Sequence, residues 1–405
     1  MSKITETLTI CIKVLNYNQD ITLYERTNMK NNTNNILKEM FTLYDLDSDQ
    51  YIGKKVISRG HINTTYTIYF DYGNRVKRYL LQAINTNVFK DPEGLMRNIE
   101  LVTEWGKEKL KEQKDEDYKN HFLRIYPTRD GRSYVKLSDG TCWRIFHYVE
   151  NCVTYDISSN PILFYEAGKV IGMFQNILSG FDSSLLVETI PDFHNTVKRY
   201  DAFEKAVAQA DSKLIEECQE EINFYRKNKE IAGIIQRLID SRMIPLRVTH
   251  NDTKLNNLMF EYRTDLGQCV VDLDTIMPGT LCFDFGDFVR SACNAGEEDA
   301  QDLSTVVFQK QLCIEFAKGF LSKQKSITEL EVKHLTIGAL DMTYECGMRF
   351  LTDYLSGNVY FNVEYPTHNL IRCRTQISMF KQIKACQKEL EEMIYEIYLG
   401  SRDGE

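Results

Sequence analysis

Hydrophobic and polar residues alternate along several short stretches in the first 150 residues of the chain. Five stretches are rich in β-branched and aromatic residues, and a turn signal at Asp71–Asn74 separates the second from the third. They comprise residues 56–63, 65–70, 79–84, 134–137 and 141–148. Pro92 opens a helical pattern after the third stretch, at the first helical position, where proline is tolerated. The pattern therefore predicts a five-stranded antiparallel sheet with one helix.

Beyond residue 151, apolar residues recur every third or fourth position, which is typical of amphipathic helices. The predicted helices span residues 203–225, 231–239, 303–320, 327–355 and 369–397. The last two exceed the usual helix length, so we expect them to be kinked or split.

A sheet followed by helices predicts an α+β protein with a small N-lobe and a large helical C-lobe. We place the N-lobe at residues 29–150 and the C-lobe at residues 151–405. Met29 opens a polar stretch that is typical of a chain start. Residues 1–28 are therefore expected to be a flexible extension or the product of a mis-assigned start.

Composition excludes several functional classes. The 405 residues carry a formal net charge of −9, which argues against a broad basic face for a nucleic-acid backbone. No apolar run approaches the roughly 20 residues that a membrane-spanning helix needs. The 11 cysteines form no Cys-x-x-Cys pair, which argues against a zinc ribbon and for thiols kept reduced. We therefore expect a cytoplasmic globular protein with neither a nucleic-acid nor a membrane partner.

Chemically versatile residues concentrate at 250–257 and again at 269–275, at the end of the following predicted hairpin. Phosphoryl transfer needs a carboxylate to accept the hydroxyl proton, a nearby cation, and oxygen ligands for Mg²⁺. Asp252 and Lys254 meet the first two requirements. Asn257 and Asp272 meet the third. The neighbouring Asp274 either joins the metal ligands or only supports the loop.

The spacing of these residues makes the prediction specific. Kinase catalytic loops have the pattern His-x-Asp-x-Lys-x-x-Asn, which residues 250–257 reproduce, and Asp272 follows Asp252 by 20 positions. The alternative is a polar turn between two core strands, but such a turn rarely combines these residue types at these offsets. The literal Asp-Phe-Gly at 284–286 lies 32 positions beyond Asp252, so we interpret it as the capped start of a helix that braces the loop.

These motifs resemble the aminoglycoside phosphotransferase and choline kinase superfamily, whose fold is protein-kinase-like with two lobes. The closer resemblance is to bacterial N-acetylhexosamine 1-kinases, which use ATP to phosphorylate the anomeric hydroxyl of GlcNAc or GalNAc. The similar stretches are residues 60–63, 81–89, 191–196, 249–257, 271–279 and 349–354. The resemblance implies that Asp252 is the base against the sugar hydroxyl and that Mg²⁺ and ATP take part. It also implies that Arg349 and Tyr360 contact the sugar.

The same resemblance implies a set of nucleotide contacts. The implied positions are Gly60, Asn63, Gln82, Tyr148 and Val149. Two features depart from the general kinase pattern: the phosphate loop has a single glycine, and Gln82 stands where the third strand usually carries a lysine. Neutralisation of the phosphates then depends more on Mg²⁺ and Lys254.

Three functional hypotheses follow. The first is an ATP-dependent kinase of an amino sugar, acting as a monomer or homodimer. The second keeps the fold but takes choline, ethanolamine or an aminoglycoside, which are cationic and need an acidic pocket. The third is a catalytically inactive nucleotide-binding protein, motivated by Gln82 and the single-glycine loop. The presence of Asp252, Asn257 and Asp272 argues against this third hypothesis.

Overall fold

A computed structural model describes residues 35–57, 62–115 and 118–402, so the extension predicted over residues 1–28 lies outside the described part. The described residues form two compact units. The first unit contains the described chain up to Pro92 and the segment Arg124–Tyr148. The second contains Glu93–Leu123 and the described chain from Val149 onward.

The first unit is built on an antiparallel sheet. Its elements are helix α1 Asn35–Leu43 and strands β1 Tyr51–Ile57, β2 Thr64–Asp71, β3 Val76–Ile84, β4 Ile125–Tyr126, β5 Tyr134–Lys136 and β6 Cys142–His147. The strand order is β1-β2-β3-β6-β4, and β5 also pairs with β6. The structure confirms an antiparallel meander, but its first strand begins at Tyr51 and ends at Ile57, so it overlaps the predicted stretch 56–63 only at its start; residues 58–61 lie outside the described part. The structure also adds β4, which at two residues is too short to show an alternating pattern.

The core of this unit lies between one face of the sheet and α1. Met40 on α1 and Ile68, Phe70 and Ile145 on the sheet are completely buried. Alternation explains the arrangement, because every second residue of a strand points to the same face of its sheet. Helix α1 has nine residues, too few for a helical repeat to stand out in the sequence.

The second unit is mainly helical. Its helices are α2 Pro92–Glu112, α3 Tyr118–His121, α4 Pro161–Ile177, α5 Thr196–Gln209, α6 Ser212–Glu217, α7 Gln219–Lys227, α8 Ile234–Asp240, α9 Leu281–Ala292, α10 Lys310–Lys323, α11 Glu329–Lys333, α12 Leu335–Leu355, α13 His368–Ala385 and α14 Gln387–Arg402. Its strands are β7 Cys152–Val153, β8 Arg247–Thr249, β9 Leu258–Glu261, β10 Gly267–Val270 and β11 Met277–Gly279. These strands form two small antiparallel sheets, β10-β9-β7 and β11-β8.

The predicted α+β class is confirmed, with an antiparallel sheet in one unit and mostly helices in the other. In the part of the chain that the structure describes, no helix combines the length and the apolar character needed to cross a bilayer.

The two longest predicted helices are split, as expected. The segment 327–355 divides into α11 and α12 at His334, where a φ of −113° leaves the helical range. The segment 369–397 divides into α13 and α14 at Cys386, where φ is −109°. The first break leaves α12 as a continuous helix of 21 residues, which carries much of the candidate site.

The prediction of one continuous helix over residues 203–225 is wrong. Helix α5 ends before Ala210, whose backbone is extended. Asp211 then caps a new helix, because its side chain accepts a hydrogen bond from Lys213 N. The apolar spacing continues across the break, so it does not reveal where the chain leaves the helical conformation.

Helices α9 and α12 cross with their backbones in contact. Gly286 on α9 faces Gly338 on α12, and a Cβ atom on either glycine would overlap the backbone of the opposite helix. Glycine is therefore required at this crossing. The close approach fixes α9, which carries Asp284 and Asp287, directly against α12.

Candidate active site

The predicted catalytic loop lies between paired strands of the second unit. Strand β8 pairs with β11, and β9 forms a hairpin with β10. Residues 250–257 connect β8 to β9, and Asp272 follows β10. Val271 N donates a 2.9 Å hydrogen bond to Asn257 O, which joins the end of the loop to the residue before Asp272. The fold therefore brings together the two stretches that the sequence predicts to share their chemistry.

Asp284, in the first turn of α9, anchors the backbone of the loop. Its Oδ2 accepts a hydrogen bond from His250 N at 2.9 Å, and its Oδ1 accepts one from Asn251 N at 2.7 Å. Gln175 Nε2 donates a third, at 2.6 Å. Burial raises the pKa of the Asp284 carboxyl above its ordinary value, although these donors oppose the shift. The Asp-Phe-Gly sequence therefore has the bracing role predicted for it.

His250 is held through both ring nitrogens. Its Nε2 lies 2.8 Å from Val271 O, and Asp252 N donates to its Nδ1 at 3.2 Å. Nε2 must donate, since a carbonyl oxygen only accepts, and Nδ1 accepts, so the ring is a neutral imidazole. Both ring nitrogens of His250 are thus engaged in holding the loop, which gives this residue a bracing role.

Asp252 and Lys254 form a partly exposed ion pair. Lys254 Nζ lies 3.0 Å from Asp252 Oδ2, and the side chains are 34% and 28% exposed, respectively. Burial is the largest single influence and raises the pKa of the Asp252 carboxyl, but the charge and hydrogen bond of Lys254, together with other neighbouring groups that include Arg290, outweigh it and hold that pKa below its usual range. Asp252 is therefore an ionised carboxylate that is able to accept a proton. Lys254 stays protonated, because the charge of Asp252 raises its pKa.

Asn257 presents an amide oxygen beside these charges. Its Nδ2 donates to the Asp252 carbonyl at 2.8 Å and to Asp252 Oδ2 at 3.0 Å, so Oδ1 is the amide atom that remains to bind a ligand. Asp272 has a left-handed backbone with φ 59°, a conformation in which Asp is enriched, and its charge contributes to the raised pKa of Lys254. An amide oxygen and a carboxylate are hard ligands that fit Mg²⁺.

Asp274 lies in the short turn after Asp272 and is 4% exposed. Its backbone carbonyl accepts a 3.0 Å hydrogen bond from Thr189 Oγ1, which ties the turn to the rest of the unit. Among the described residues, no group of three or more His, Cys, Asp or Glu side chains is arranged to hold a metal ion. A Mg²⁺ ion on Asn257 and Asp272 would therefore complete its shell with water and phosphate oxygens, as this ion usually does.

The two residues predicted to contact the acceptor lie together with two phenylalanines. The Arg349 guanidinium on α12 is 5.2 Å from the ring centre of Phe193. It is 5.9 Å from the ring centre of Tyr360 and 5.5 Å from that of Phe361. These distances fit cation–π contacts. Arg349, Phe193, Tyr360 and Phe361 form what we call the Arg349 cluster.

A buried carboxylate shapes one side of the Arg349 cluster. Asp353, one turn further along α12, accepts hydrogen bonds of 2.8–3.0 Å from the backbone N–H groups of residues 359–361. Asn369 Nδ2 donates to the same carboxylate at 2.9 Å. The loop that presents Tyr360 is thereby fixed, while the Tyr360 side chain is 55% exposed.

Phe193 connects the Arg349 cluster to the catalytic loop. Its ring centre is 4.5 Å from that of His194, and His194 Nε2 lies 3.0 Å from Asn251 O. Asn251 directly precedes Asp252. Phe193 belongs to the resembling stretch 191–196, but no spacing rule in the sequence singles it or Phe361 out.

Gln82, on β3 of the first unit, has two side-chain partners. Its Nε2 donates to Thr65 Oγ1 at 3.0 Å, and its Oε1 accepts a 3.0 Å hydrogen bond from Arg144 Nε. Arg144 is 1% exposed and was missed in the sequence, although a charged residue in the middle of the apolar stretch 141–148 is a signal. The buried guanidinium of Arg144 therefore lies beside Gln82, the residue that stands where kinases usually carry a lysine.

The remaining nucleotide positions stay predictions. Asn63 Oδ1 accepts a 2.9 Å hydrogen bond from Asn85 N, which braces the loop before β2. The ring centre of Tyr148 lies 4.4 Å from the Arg78 guanidinium. Val149 begins the second segment of the second unit, and Gly60 lies outside the described residues.

Comparison with known proteins shows similarity to phosphotransferases in sequence and in fold. Residues 130–306 match the phosphotransferase enzyme family, APH. An aminoglycoside phosphotransferase from Alicyclobacillus acidocaldarius has a similar fold, with a TM-score of 0.56, 12% identity, and coverage of 84% of this chain and 92% of its own. An ethanolamine kinase from Plasmodium vivax matches with a TM-score of 0.55 and 14% identity, over 86% of this chain and 90% of its own. A choline kinase from Cryptosporidium parvum matches with a TM-score of 0.52 and 14% identity, over 90% of this chain and 95% of its own. Residues 130–306 therefore resemble the phosphotransferase enzyme family, and the chain has a fold similar to those of an aminoglycoside phosphotransferase, an ethanolamine kinase and a choline kinase.

Proposed function

We propose that the protein is a kinase that transfers a phosphoryl group from ATP to the anomeric hydroxyl of an N-acetylhexosamine. One observation carries the proposal: Asp252, Lys254 and Asn257 form a single hydrogen-bonded group on one loop, with Asp272 close to Lys254. The family match supports phosphotransfer. The resembling stretches and the Arg349 cluster support the sugar.

Each residue of the group has a distinct role in the proposed reaction. Asp252 accepts a hydrogen bond from the acceptor hydroxyl, orients its oxygen and takes its proton, a contribution of about 10²–10⁴-fold in rate for a positioned base. Lys254 keeps Asp252 ionised and places a positive charge near the transferred group. Asn257 and Asp272 hold Mg²⁺, which when bound neutralises charge on the phosphates.

The charges in the Arg349 cluster favour a neutral acceptor over a cationic one. Quaternary ammonium groups bind to open aromatic faces. Here the faces of Phe193, Tyr360 and Phe361 already contact a guanidinium. A second guanidinium, that of Arg199, is nearby, and its burial and the charge of Arg349 lower its pKa. A cationic acceptor would therefore meet like charges.

Two carboxylates of α12 in this region, Glu345 and Asp353, are already engaged. Glu345 contacts His194 and Thr196, and Asp353 accepts the N–H groups of the loop at residues 359–361. Binding a cationic acceptor there would leave these buried donors without partners, which is costly. An N-acetylhexosamine instead offers hydroxyl and amide oxygens, which accept hydrogen bonds from a guanidinium.

An acceptor panel tests the proposal. The purified chain is incubated with MgATP and, in turn, GlcNAc, GalNAc, choline, ethanolamine and an aminoglycoside, and ADP release is measured. The matched control for each sugar is its methyl glycoside, which differs only in lacking a free anomeric hydroxyl. We expect turnover of an N-acetylhexosamine and none of its methyl glycoside.

Other results of the panel contradict specific parts of the proposal. Turnover of choline or an aminoglycoside in place of the sugars would show that the Arg349 cluster has been misinterpreted. Equal turnover of the methyl glycoside would show that a hydroxyl other than the anomeric one is phosphorylated. Binding of MgATP without turnover of any acceptor would favour an inactive nucleotide-binding protein.

A further inference from the structure

A buried ion pair joins α12 to the catalytic loop. His194 Nδ1 lies 2.9 Å from Glu345 Oε1, and the side chains of His194 and Glu345 are 9% and 2% exposed. The other ring nitrogen, Nε2, lies 3.0 Å from Asn251 O. Thr196 Oγ1 donates to the second carboxylate oxygen of Glu345 at 2.9 Å, which orients the acid. All polar atoms of the pair are thus committed within the protein.

The hydrogen-bond partners define the protonation state of His194. An ionised carboxylate and a backbone carbonyl only accept hydrogen bonds, so both ring nitrogens must donate and the ring is an imidazolium. Burial is the largest single influence and lowers the pKa of His194, but the charge and hydrogen bond of Glu345, the charge of Asp287 and the hydrogen bond to Asn251 O together outweigh it and hold this pKa above 6.5. The other charged or titratable groups near the pair are Asp287 on α9, Asp341 and Arg349 on α12, and Arg199 on α5.

The peptide that His194 holds leads directly into the proposed base. Asn251 has a left-handed backbone with φ 63°, and its N–H group is fixed by Asp284. Its carbonyl belongs to the same peptide group as the N–H of Asp252, which donates to His250 Nδ1. The donor on the carbonyl side of this peptide is His194. The orientation of the Asp252 backbone therefore depends on contacts from α9, the loop itself and the ion pair.

We propose that His194, paired with Glu345, is a positioning residue that fixes the Asn251–Asp252 peptide through its hydrogen bond to the Asn251 carbonyl. It acts on the reaction only through this peptide. The inference rests on the proposed phosphotransfer, because it assigns Asp252 the role of base. A charge-assisted hydrogen bond is shorter and stronger than a neutral one, which suits a contact that must hold a left-handed residue in place.

The arrangement has a consequence for pH dependence. The imidazolium is fully formed below pH 6.5 and is lost as the pH rises through the higher pKa of the folded protein. Loss of the proton leaves only one of the two ring nitrogens able to donate a hydrogen bond. We therefore expect the catalytic loop to be less firmly fixed, and kcat to decline, at alkaline pH. Lys254 does not account for such a change, because Asp252 raises its pKa further above 10.5.

The test uses His194→Gln, which keeps a side-chain N–H donor but has no charge and does not titrate. His334→Gln is the matched control, since His334 donates to Leu330 O at the junction of α11 and α12. We expect H194Q to lower kcat about 10–100-fold, because a small misplacement of a catalytic group has effects of this size. We expect the KM for ATP to change little, the alkaline decline of kcat to disappear, and H334Q to match the wild type.

Glu345→Gln provides a second variant if H194Q folds poorly. It keeps an oxygen acceptor for His194 and removes the charge that raises the pKa of His194. The alkaline decline of kcat should then begin at a lower pH than in the wild type. A purely structural role would lower the unfolding temperature of either variant without moving the pH profile.

Hydrogen exchange of the full chain separates this inference from the proposed function. In H194Q the amides of residues 250–254 should exchange faster than in the wild type, whereas those of β2 and β3 should not change. This readout needs no acceptor, so failure to find a substrate would contradict the proposed function alone. Unchanged exchange at 250–254, or an unchanged pH profile in an active H194Q or E345Q, would overturn the role of His194.

Discussion

Asp284→Asn is the most informative test of how the catalytic loop is held. Three donors converge on the native carboxylate: His250 N, Asn251 N and Gln175 Nε2. An asparagine offers one oxygen in place of two. If that oxygen accepts from Asn251 N, the new Nδ2 group points at His250 N, and two donors face each other. The substitution therefore removes one backbone hydrogen bond and leaves a buried N–H group unsatisfied.

The third donor is able to adapt. Gln175 Oε1 is buried and makes no hydrogen bond with the described residues, so a flip of the Gln175 amide lets it accept from the new asparagine. The remaining cost is that of one unsatisfied buried donor, about 1–3 kcal/mol. Asparagine carries no charge, so the substitution also removes the cost of burying the Asp284 charge, which acts to reduce the expected loss. We expect a Tm decrease of roughly 2–8 °C from a loss of this size.

Thermal unfolding followed by circular dichroism, together with kcat, measures the effect. Asp240→Asn is the matched control, because Asp240 is exposed and its main partner is Gln236. It should change the free energy of unfolding by less than about 0.5 kcal/mol. A D284N protein with wild-type Tm and wild-type kcat would refute the reasoning, since it would show that the loop does not depend on this anchor.

Three further substitutions test the site. Lys254→Met removes a charge that helps to hold the pKa of Asp252 below its usual range. The decrease of kcat/KM on the acid side of the pH profile should therefore begin at a higher pH, and an unchanged profile would contradict the role of the ion pair. Arg349→Met should raise the KM for the acceptor about tenfold or more and leave the KM for ATP nearly unchanged, as expected from a lost charged hydrogen bond. Asp353→Asn should speed hydrogen exchange at residues 359–361 and raise the acceptor KM, whereas equal exchange in variant and wild type would argue against that anchor.

The sequence predicts the catalytic loop well because its residues are neighbours along the chain. Residues 250–257 lie within one turn between two strands, so their spacing alone limits which side chains meet. Asp252, Lys254 and Asn257 are in mutual contact in the structure, as that spacing predicts. The antiparallel sheet is equally accessible to prediction, since its alternating apolar pattern is local.

Contacts between distant residues could not be predicted in the same way. His194 and Glu345 are 151 positions apart in the sequence, and the hydrogen-bonded residues Arg144 and Gln82 are 62 positions apart. Such pairs depend on the crossing of helices and the register of strands, which apolar spacing does not define. The break at Asp211 escaped prediction for a related reason: a capping side chain competes locally with a helical pattern that continues on both sides.

Asp252→Asn tests the central claim most directly. The variant keeps the shape of the side chain and removes its ability to accept a proton, so turnover of the acceptor should fall by about 10²–10⁴-fold. Binding of MgATP, measured by calorimetry on the same preparation, should be nearly unchanged, because a base acts in the transition state. A D252N protein that phosphorylates the acceptor at the wild-type rate would contradict the assignment of Asp252 as the base.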